Sequence, residues 1–321
     1  MSYKEKQREI QESLIKNSDL FDNVMAGKFY RGEDRDFILQ DGACNIFNPI
    51  RDKVIKYFKE NSIQWWGGNT PTGNTMSSQI ACINHLFPLR HDAETLLKVL
   101  NLATNKRFTK LLPIPEWLDN KESSPHYVAF EAISKEDHLN ENAKSRGSNC
   151  TSVDAMMIAE DKNGICLIPI EWKYTELYAN DDKSNVKKNN NSTGKKRLSL
   201  YGPLICNSCQ LKYKPSDYSG TIYFQEPFYQ LMRQTIWTEL SLNDFKAVNY
   251  IHLHVVPSGN KELLSHKYSR FPEFPNGMVD TWRSILRDPN RYICIDPKDI
   301  FAPIKEADSL LFAYLSKRYW Q

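Results

Sequence analysis

With 321 residues, 40% of them hydrophobic and 25% charged, the chain has the composition of a globular protein and is long enough for one large domain or two small ones. Its mean hydropathy is −0.57 and no run approaches the ~18 consecutive apolar residues of a membrane helix, which excludes a helical membrane protein. The net charge of +3 permits a nucleic-acid partner without arguing for one, so any basic footprint must be local.

The charged opening "MSYKEKQREIQESL" lacks an apolar signal core, so a cytoplasmic location is expected. Residues 3–18 predict an exposed helix with Ile10, Leu14 and Ile15 as a thin apolar stripe. "PIRDKVIKYFKE" (49–60) reads as a second helix opened by proline. "WWGGNTPTGNT" (65–75) is a glycine-rich connector. Ser77 and Ser78 then suit the cap of a helix in which Ile80, Ile83 and Phe87 recur at helical spacing and Pro88 ends the run. Residues 91–103 continue as another helix.

The texture changes near residue 126. "HYVAFEAI" is a short strand, and residues 151–160 and 165–175 are two more, with Asn163-Gly164 marking a tight hairpin turn. The polar stretch 177–199 holds little to bury and predicts a mobile loop. A helix at 226–240 presents Phe228, Leu231, Met232, Thr235 and Ile236 on one face, and 247–257 is again a strand. A helix near 278–287, a strand near 291–295 and a final helix near 306–319 complete the chain. From about residue 75 the order is helix, strand, strand, strand, helix, strand, which predicts an α/β (α+β) layer fold with a mixed central sheet. Residues 1–74 are expected to form a helical extension packed on a core domain of 75–321.

The hairpin carries the chemistry. In "TSVDAMMIAEDKNGICLIPIEWKYTE" (151–176) the apolar run "ICLIPI" ends in Glu171-Trp172-Lys173, and Asp154 opens the preceding strand. Strand side chains alternate, so Glu171 and Lys173 share a face. A turn of Asn163-Gly164 sets Asp154 opposite Lys173, whereas a turn of Lys162-Asn163 sets it opposite Glu171. Either register gathers Asp154, Glu171 and Lys173 on one face. Two carboxylates this close repel unless a cation sits between them, and Mg²⁺ or Mn²⁺ takes such hard oxygen ligands. The main-chain carbonyl of Trp172 is a further candidate ligand, and Lys173 can orient a water and offset charge on a phosphate. The constellation suits metal-assisted hydrolysis of a phosphodiester. The plainer alternative is a surface hairpin with a Lys–Asp cross-strand pair.

At these residues the sequence resembles the PD-(D/E)XK nuclease superfamily. Asp154 matches its aspartate and Glu171-Trp172-Lys173 its E-x-K; the proline of the motif is absent, since Ser152-Val153 precede Asp154. The wider blocks "SRGSNCTSVDAMM", "IPIEWKYTE" and "SSQIACINHLFPLR" are similar to a bacterial, restriction-endonuclease-like branch of it. The resemblance spans about 75–257. It implies an αβββαβ core and a deoxyribonuclease dependent on Mg²⁺ or Mn²⁺, with Asp154 and Glu171 as metal ligands and Lys173 as catalytic lysine. It also implies a further acid near the site, for which Glu131 is the candidate, and a Gln or basic residue of helix 226–240 near the scissile phosphate, for which Gln230 is chosen.

Several other residues are candidates with plain structural alternatives. Glu176 is able to support Lys173, and Gln79 has a claim like that of Gln230. Arg146 and Arg233 are candidates for phosphate binding. Lys187, Lys188, Lys195, Lys196 and Arg197 form a basic cluster in the polar stretch, suited to DNA backbone. Trp65 and Trp66 suit either base stacking or burial under the helical cap. His252 and His254, and the C-x2-C of Cys206 and Cys209, read as structural histidines and incidental reduced cysteines. The expected partner is DNA, in defence against foreign DNA. With no Walker motif in the chain, any ATPase must be a separate subunit, and cutting a duplex would favour a homodimer. The rival readings are a silent DNA-binding module of the same fold and a nuclease acting on RNA.

Overall fold

The computed structural model describes the chain except residues 31, 107, 121, 143–144, 148–149, 179–181 and 185–192. Seven strands form one mixed sheet: β3 (Lys110–Leu112), β4 (Ala129–Ala132), β5 (Val153–Asp161), β6 (Gly164–Trp172), β7 (Asn249–Tyr250), β8 (His252–Val255) and β9 (Tyr292–Ile295). Their order is β3-β5-β6-β8-β9, with β4 also on β5 and β7 also on β6. The β3, β4, β5 and β6 pairings are antiparallel, and β6, β7, β8 and β9 run parallel. The predicted layer fold with a mixed sheet is the one observed, and β7 and β8 divide the single strand expected at 247–257.

The helices follow the same chain order: α1 (Tyr3–Asn17), α2 (Arg51–Glu60), α3 (Ser78–Leu86), α4 (Ala93–Thr104), α5 (Thr193–Asn207), α6 (Phe228–Ser241), α7 (Lys261–Leu264), α8 (Met278–Ile285), α9 (Pro297–Ile300), α10 (Ile304–Ala307) and α11 (Ser309–Tyr319). Ser77 caps α3 by accepting the Ile80 N–H, as serine does before a helix. Helix α3 is then buried on every side rather than along one stripe. Helices α2, α3, α4 and α11 cover one face of the sheet, over Ala155, Met157, Ile168, Ile170 and Trp172. Helices α5, α6 and α8 cover the other, over Met156, Ile158 and Leu167. Burial on both faces explains why "ICLIPI" is an unbroken apolar run rather than an alternating one.

Two local expectations change. Asp161 pairs with Gly164 and Ala155 with Ile170, so the turn residues are Lys162 and Asn163. Gly164 is the first residue of β6, at φ +121°, where a side chain would be strained. In addition, the polar stretch does not remain a loop to residue 199. Helix α5 begins at Thr193, because Tyr201 and Ile205 have an apolar surface to reach on the α6 side of the sheet. The amino-terminal region also contains an antiparallel pair, β1 (Ala26–Tyr30) and β2 (Glu33–Leu39), that the apolar spacing does not announce.

Helices α1 and α11 meet beside the end of β6. Tyr174, next to Lys173, donates from its hydroxyl to Gln7 at 2.7 Å and accepts from Gln11 at 3.1 Å. Gln11 also donates to the Arg318 carbonyl at 2.9 Å. Helices α1 and α11 therefore brace the end of β6.

Candidate active site

Asp154 is the second residue of β5 and Glu171 the last but one of β6, and continuing the ladder one step past Ala155–Ile170 sets them opposite each other. This is the second of the two registers open in the sequence. On the other side of β5 the register sets Glu131 of β4 opposite Asp154. Three carboxylates from three adjacent strands thus line up across the sheet. Lys173 follows on the same face as Glu171.

Hydrogen bonds hold the cluster. Asp154 Oδ2 accepts the Trp172 N–H at 2.6 Å, while the Trp172 ring turns to the opposite core, 4.7 Å from His85. Lys173 Nζ donates to Glu171 Oε1 and, at 2.6 Å, to Gln230 Oε1. Gln234, one turn along α6, donates to Glu171 Oε2. Gln79 Nε2 donates to Glu131 at 2.7 Å, and Ser152 Oγ does so at 3.0 Å. The structure therefore brings Asp154, Glu171, Lys173, Glu131, Gln230 and Gln79 to one place. Gln234, Ser152 and Tyr178 join them unforeseen; the ring of Tyr178 lies 5.5 Å from Lys173 Nζ. For Gln234 a signal was present, because it sits i+4 from Gln230 on one helix face.

The electrostatics are those of an acid cluster short of positive charge. Burial, then the charges of Glu171 and Glu131, push the Asp154 carboxyl well above its usual range. Burial also raises Glu131, and its bonds to Gln79 and Ser152 offset part of that. Burial alone would lower the Lys173 ammonium, but the charge of Glu171 and its other anionic neighbours holds it well above its ordinary value. Glu131 is also strained: its φ is +47°, the left-handed region that a residue with a side chain enters at a cost of roughly 1–3 kcal/mol. Such strain persists only where the surroundings over-determine it.

Those surroundings explain Arg146. It was expected to hold a phosphate, but it is buried and fully engaged. Its guanidinium donates to the carbonyls of Glu131 at 3.2 Å, Phe130 at 2.5 Å and Leu118 at 2.7 Å. It also pairs with Asp119 at 2.8 Å, and Asp119 accepts from Tyr57 at 2.8 Å. Arg146 is thus a pillar under the bent backbone of β4.

The basic residues divide. Lys187 and Lys188 lie outside the described residues. Lys195, Lys196 and Arg197 stand on the first turns of α5 rather than in a loop. Lys196, Arg197 and Arg233 line a separate recess of about 350 Å³, where Arg233 bonds Glu141 at 2.9 Å and packs against the rings of Tyr201 and Tyr229. The acid cluster opens instead into a cleft of about 960 Å³, whose walls include Lys4 and Arg8 of α1, Arg35, Trp66, Glu176 and Leu177. Glu176 accepts the Tyr174 N–H at 2.6 Å and so shapes the chain after Lys173. Trp65 and Trp66 part company: Trp65 stacks on Phe58 with ring centroids 3.9 Å apart, whereas Trp66 faces the cleft.

His252 and His254 are buried in β8, behind Glu171. Burial pushes His252 down to about 4, and burial together with Lys173 holds His254 well below the usual imidazole range. His254 Nδ1 is 2.7 Å from the Tyr292 hydroxyl. Cys206 and Cys209 are exposed and free. Among the described residues no three or more His, Cys, Asp and Glu side chains are already arranged as a cation cage, and no helix is long and apolar enough to cross a membrane.

No curated protein and no solved structure matches the chain. A family model does, over residues 2–320, and its description is Restriction Endonuclease associating with ARP. With a match over nearly the whole length and an acid cluster at the open end of a mixed α/β sheet, the chain belongs to that restriction endonuclease family, and as such is a nuclease.

Proposed function

We propose that the protein is a metal-dependent deoxyribonuclease of the PD-(D/E)XK type, with its active site at Asp154, Glu171 and Lys173. The observation that carries this reading is the register that aligns Glu131, Asp154 and Glu171 across β4, β5 and β6, with Lys173 beside them. The donor set fits Mg²⁺ or Mn²⁺, because it consists of oxygens only, is anionic, and holds carboxyls raised by burial and like charge. Asp154 and Glu171 would hold the ion, with Glu131 and the Trp172 carbonyl as supporting ligands. Magnesium commonly takes one or two carboxylates and completes its shell with waters and substrate phosphate, so a preformed cage is not required. When bound, the ion would supply Lewis-acid stabilisation of charge on the phosphate and acidify a water.

The chain's own residues do the rest. Lys173 stays an ammonium, held by Glu171 and Gln230, and its third N–H is left to donate to a phosphate oxygen or to the attacking water. Gln234 orients Glu171, and the Trp172 N–H orients Asp154. Gln79 and Arg146 keep Glu131 in its strained place.

The substrate we propose is foreign DNA. From the family's description we infer association with ARP, and a homodimer is the natural arrangement for cutting both strands. The test is digestion of plasmid and linear DNA with Mg²⁺, Mn²⁺ or EDTA, comparing wild type with Lys173→Ala and Asp154→Ala. Metal-dependent cleavage lost in both variants is the expected result. Undiminished cleavage by either variant overturns the assignment.

A further inference from the structure

Trp66 is the large apolar side chain that stands most exposed in the cleft, at 56%. It sits at the tip of a tight turn in which the Gly68 N–H donates to the Trp65 carbonyl at 3.3 Å. Gly67, at φ +87°, occupies the position that such a turn reserves for glycine. Trp65 anchors the turn by stacking on Phe58. The tip is tied directly to the acid cluster: the Trp66 N–H donates to Gln79 Oε1 at 3.0 Å, and Gln79 Nε2 donates to Glu131 at 2.7 Å. The indole is therefore held in solvent on a rigid support, two hydrogen bonds from a carboxylate of the site.

A second exposed apolar residue stands at the other end of the cluster. Leu177, 49% exposed, also lines the cleft. It follows Glu176, whose side chain accepts the Tyr174 N–H at 2.6 Å and whose carbonyl accepts from Asn260 at 3.0 Å. Trp66 thus marks the Glu131 end of the acid row and Leu177 the Lys173 end. The cleft also carries cations, with Lys4, Arg8 and Arg35 on its wall.

This alternation fits a particular form of DNA. A duplex turns its base faces inward and offers a cleft only phosphates and groove edges. An unpaired strand offers base faces for stacking and phosphates for cations along one path. An exposed indole on a rigid tip lowers the ordering cost of such a contact. We infer that the cleft takes DNA unpaired at the cleavage point, with one base stacked on Trp66 and another, further along the same strand, packed on Leu177, so that the backbone between them passes over the acids. This inference rests on the nuclease reading of the same site and names its substrate form.

The test compares steady-state cleavage of a labelled 30-nucleotide single strand with that of the same sequence as a blunt duplex, in Mg²⁺, for wild type, Trp66→Ala, Trp66→Phe and Lys173→Ala. The expected result is a kcat/KM at least about ten-fold higher on the single strand. Trp66→Ala should raise KM for it about ten-fold, with the loss falling on KM more than on kcat, and Trp66→Phe should restore most of it, since stacking on an aromatic ring is what is lost. The Trp66 ring is largely in solvent, so its variants should fold, as circular dichroism and an unchanged melting temperature would verify. Equal or faster cutting of the duplex, or an unchanged KM in Trp66→Ala, overturns the inference while leaving the active site intact. Full activity in Lys173→Ala overturns the nuclease reading of the site and the inference with it.

Discussion

Removing one charge from the acid cluster should abolish cleavage and yet stabilise the fold. Asp154 and Glu171 are directly opposed, which sets Cβ atoms about 4.5–5.5 Å apart. Two unit charges about 5 Å apart at an effective dielectric of about 20 repel by about 3 kcal/mol. Lys173 offsets part of this, leaving about 1–2 kcal/mol. Asn in place of Asp154 keeps an oxygen to accept the Trp172 N–H and removes the charge. In EDTA the melting temperature of Asp154→Asn should therefore exceed that of wild type by about 2–4 °C at pH 7.5. The sign follows from linkage. A carboxyl raised in the folded state is neutral in both states at low pH, so it imposes no penalty there. The penalty grows as pH rises above the unfolded value, about 4, and is complete above the raised folded value. The gap between variant and wild type should thus be near zero at about pH 4 and widen toward pH 8. Millimolar Mg²⁺ should close it from below, by stabilising wild type but not the variant. A variant no more stable than wild type at pH 7.5, or a gap independent of pH, would refute the account of a cluster short of positive charge.

Other residues give sharper contrasts between structure and chemistry. Gln234→Leu should leave the fold intact and lower kcat about ten- to a hundred-fold, because Glu171 loses the donor that orients its Oε2; kinetics and a melting curve on the same sample separate the two. Arg146→Met should cost about 3–5 kcal/mol in urea titrations, since it removes the nearer of the two guanidinium partners of buried Asp119, leaving Arg90 at 3.6 Å, and frees three carbonyls, whereas phosphate contact alone would leave stability unchanged. Gln230→Ala should reduce cleavage without abolishing it, because Glu171 still holds Lys173; complete loss would mean that Gln230 touches the reacting atoms. His254→Phe should leave the metal dependence and pH profile of cleavage unchanged, since burial keeps that imidazole neutral; a shifted profile would place it in the reaction.

Much of the site was legible because strand parity is a local property. Once two strands meet at a two-residue turn, Asp154, Glu171 and Lys173 must share a face, whichever register is chosen. Helix α3 was equally plain, from its serine cap and its apolar spacing. Choosing between the registers needed the tertiary structure. Gly164 is drawn into β6, and its ladder sets Asp154 against Glu171 rather than Lys173.

The neighbours of the cluster were decided at longer range. Gln79 and Glu131 are 52 residues apart and meet through the packing of α3 at the end of β4. Arg146 reads in sequence as a loop arginine, yet buried Asp119 and three carbonyls draw it inward. Residues 193–199 are polar enough to read as loop, and they become helix because Tyr201 and Ile205 further along α5 find an apolar surface. Trp65 and Trp66 are chemically identical neighbours, and only the stack on Phe58 and the turn at Gly67 send one ring inward and the other into the cleft. Thus the sequence by itself determined the candidate reactive groups and the face they share, through local periodicity. Which groups surround them, and which of those are buried, was decided by contacts between residues far apart in the chain, because the free energy of burying a charge or a ring depends on partners that only folding supplies.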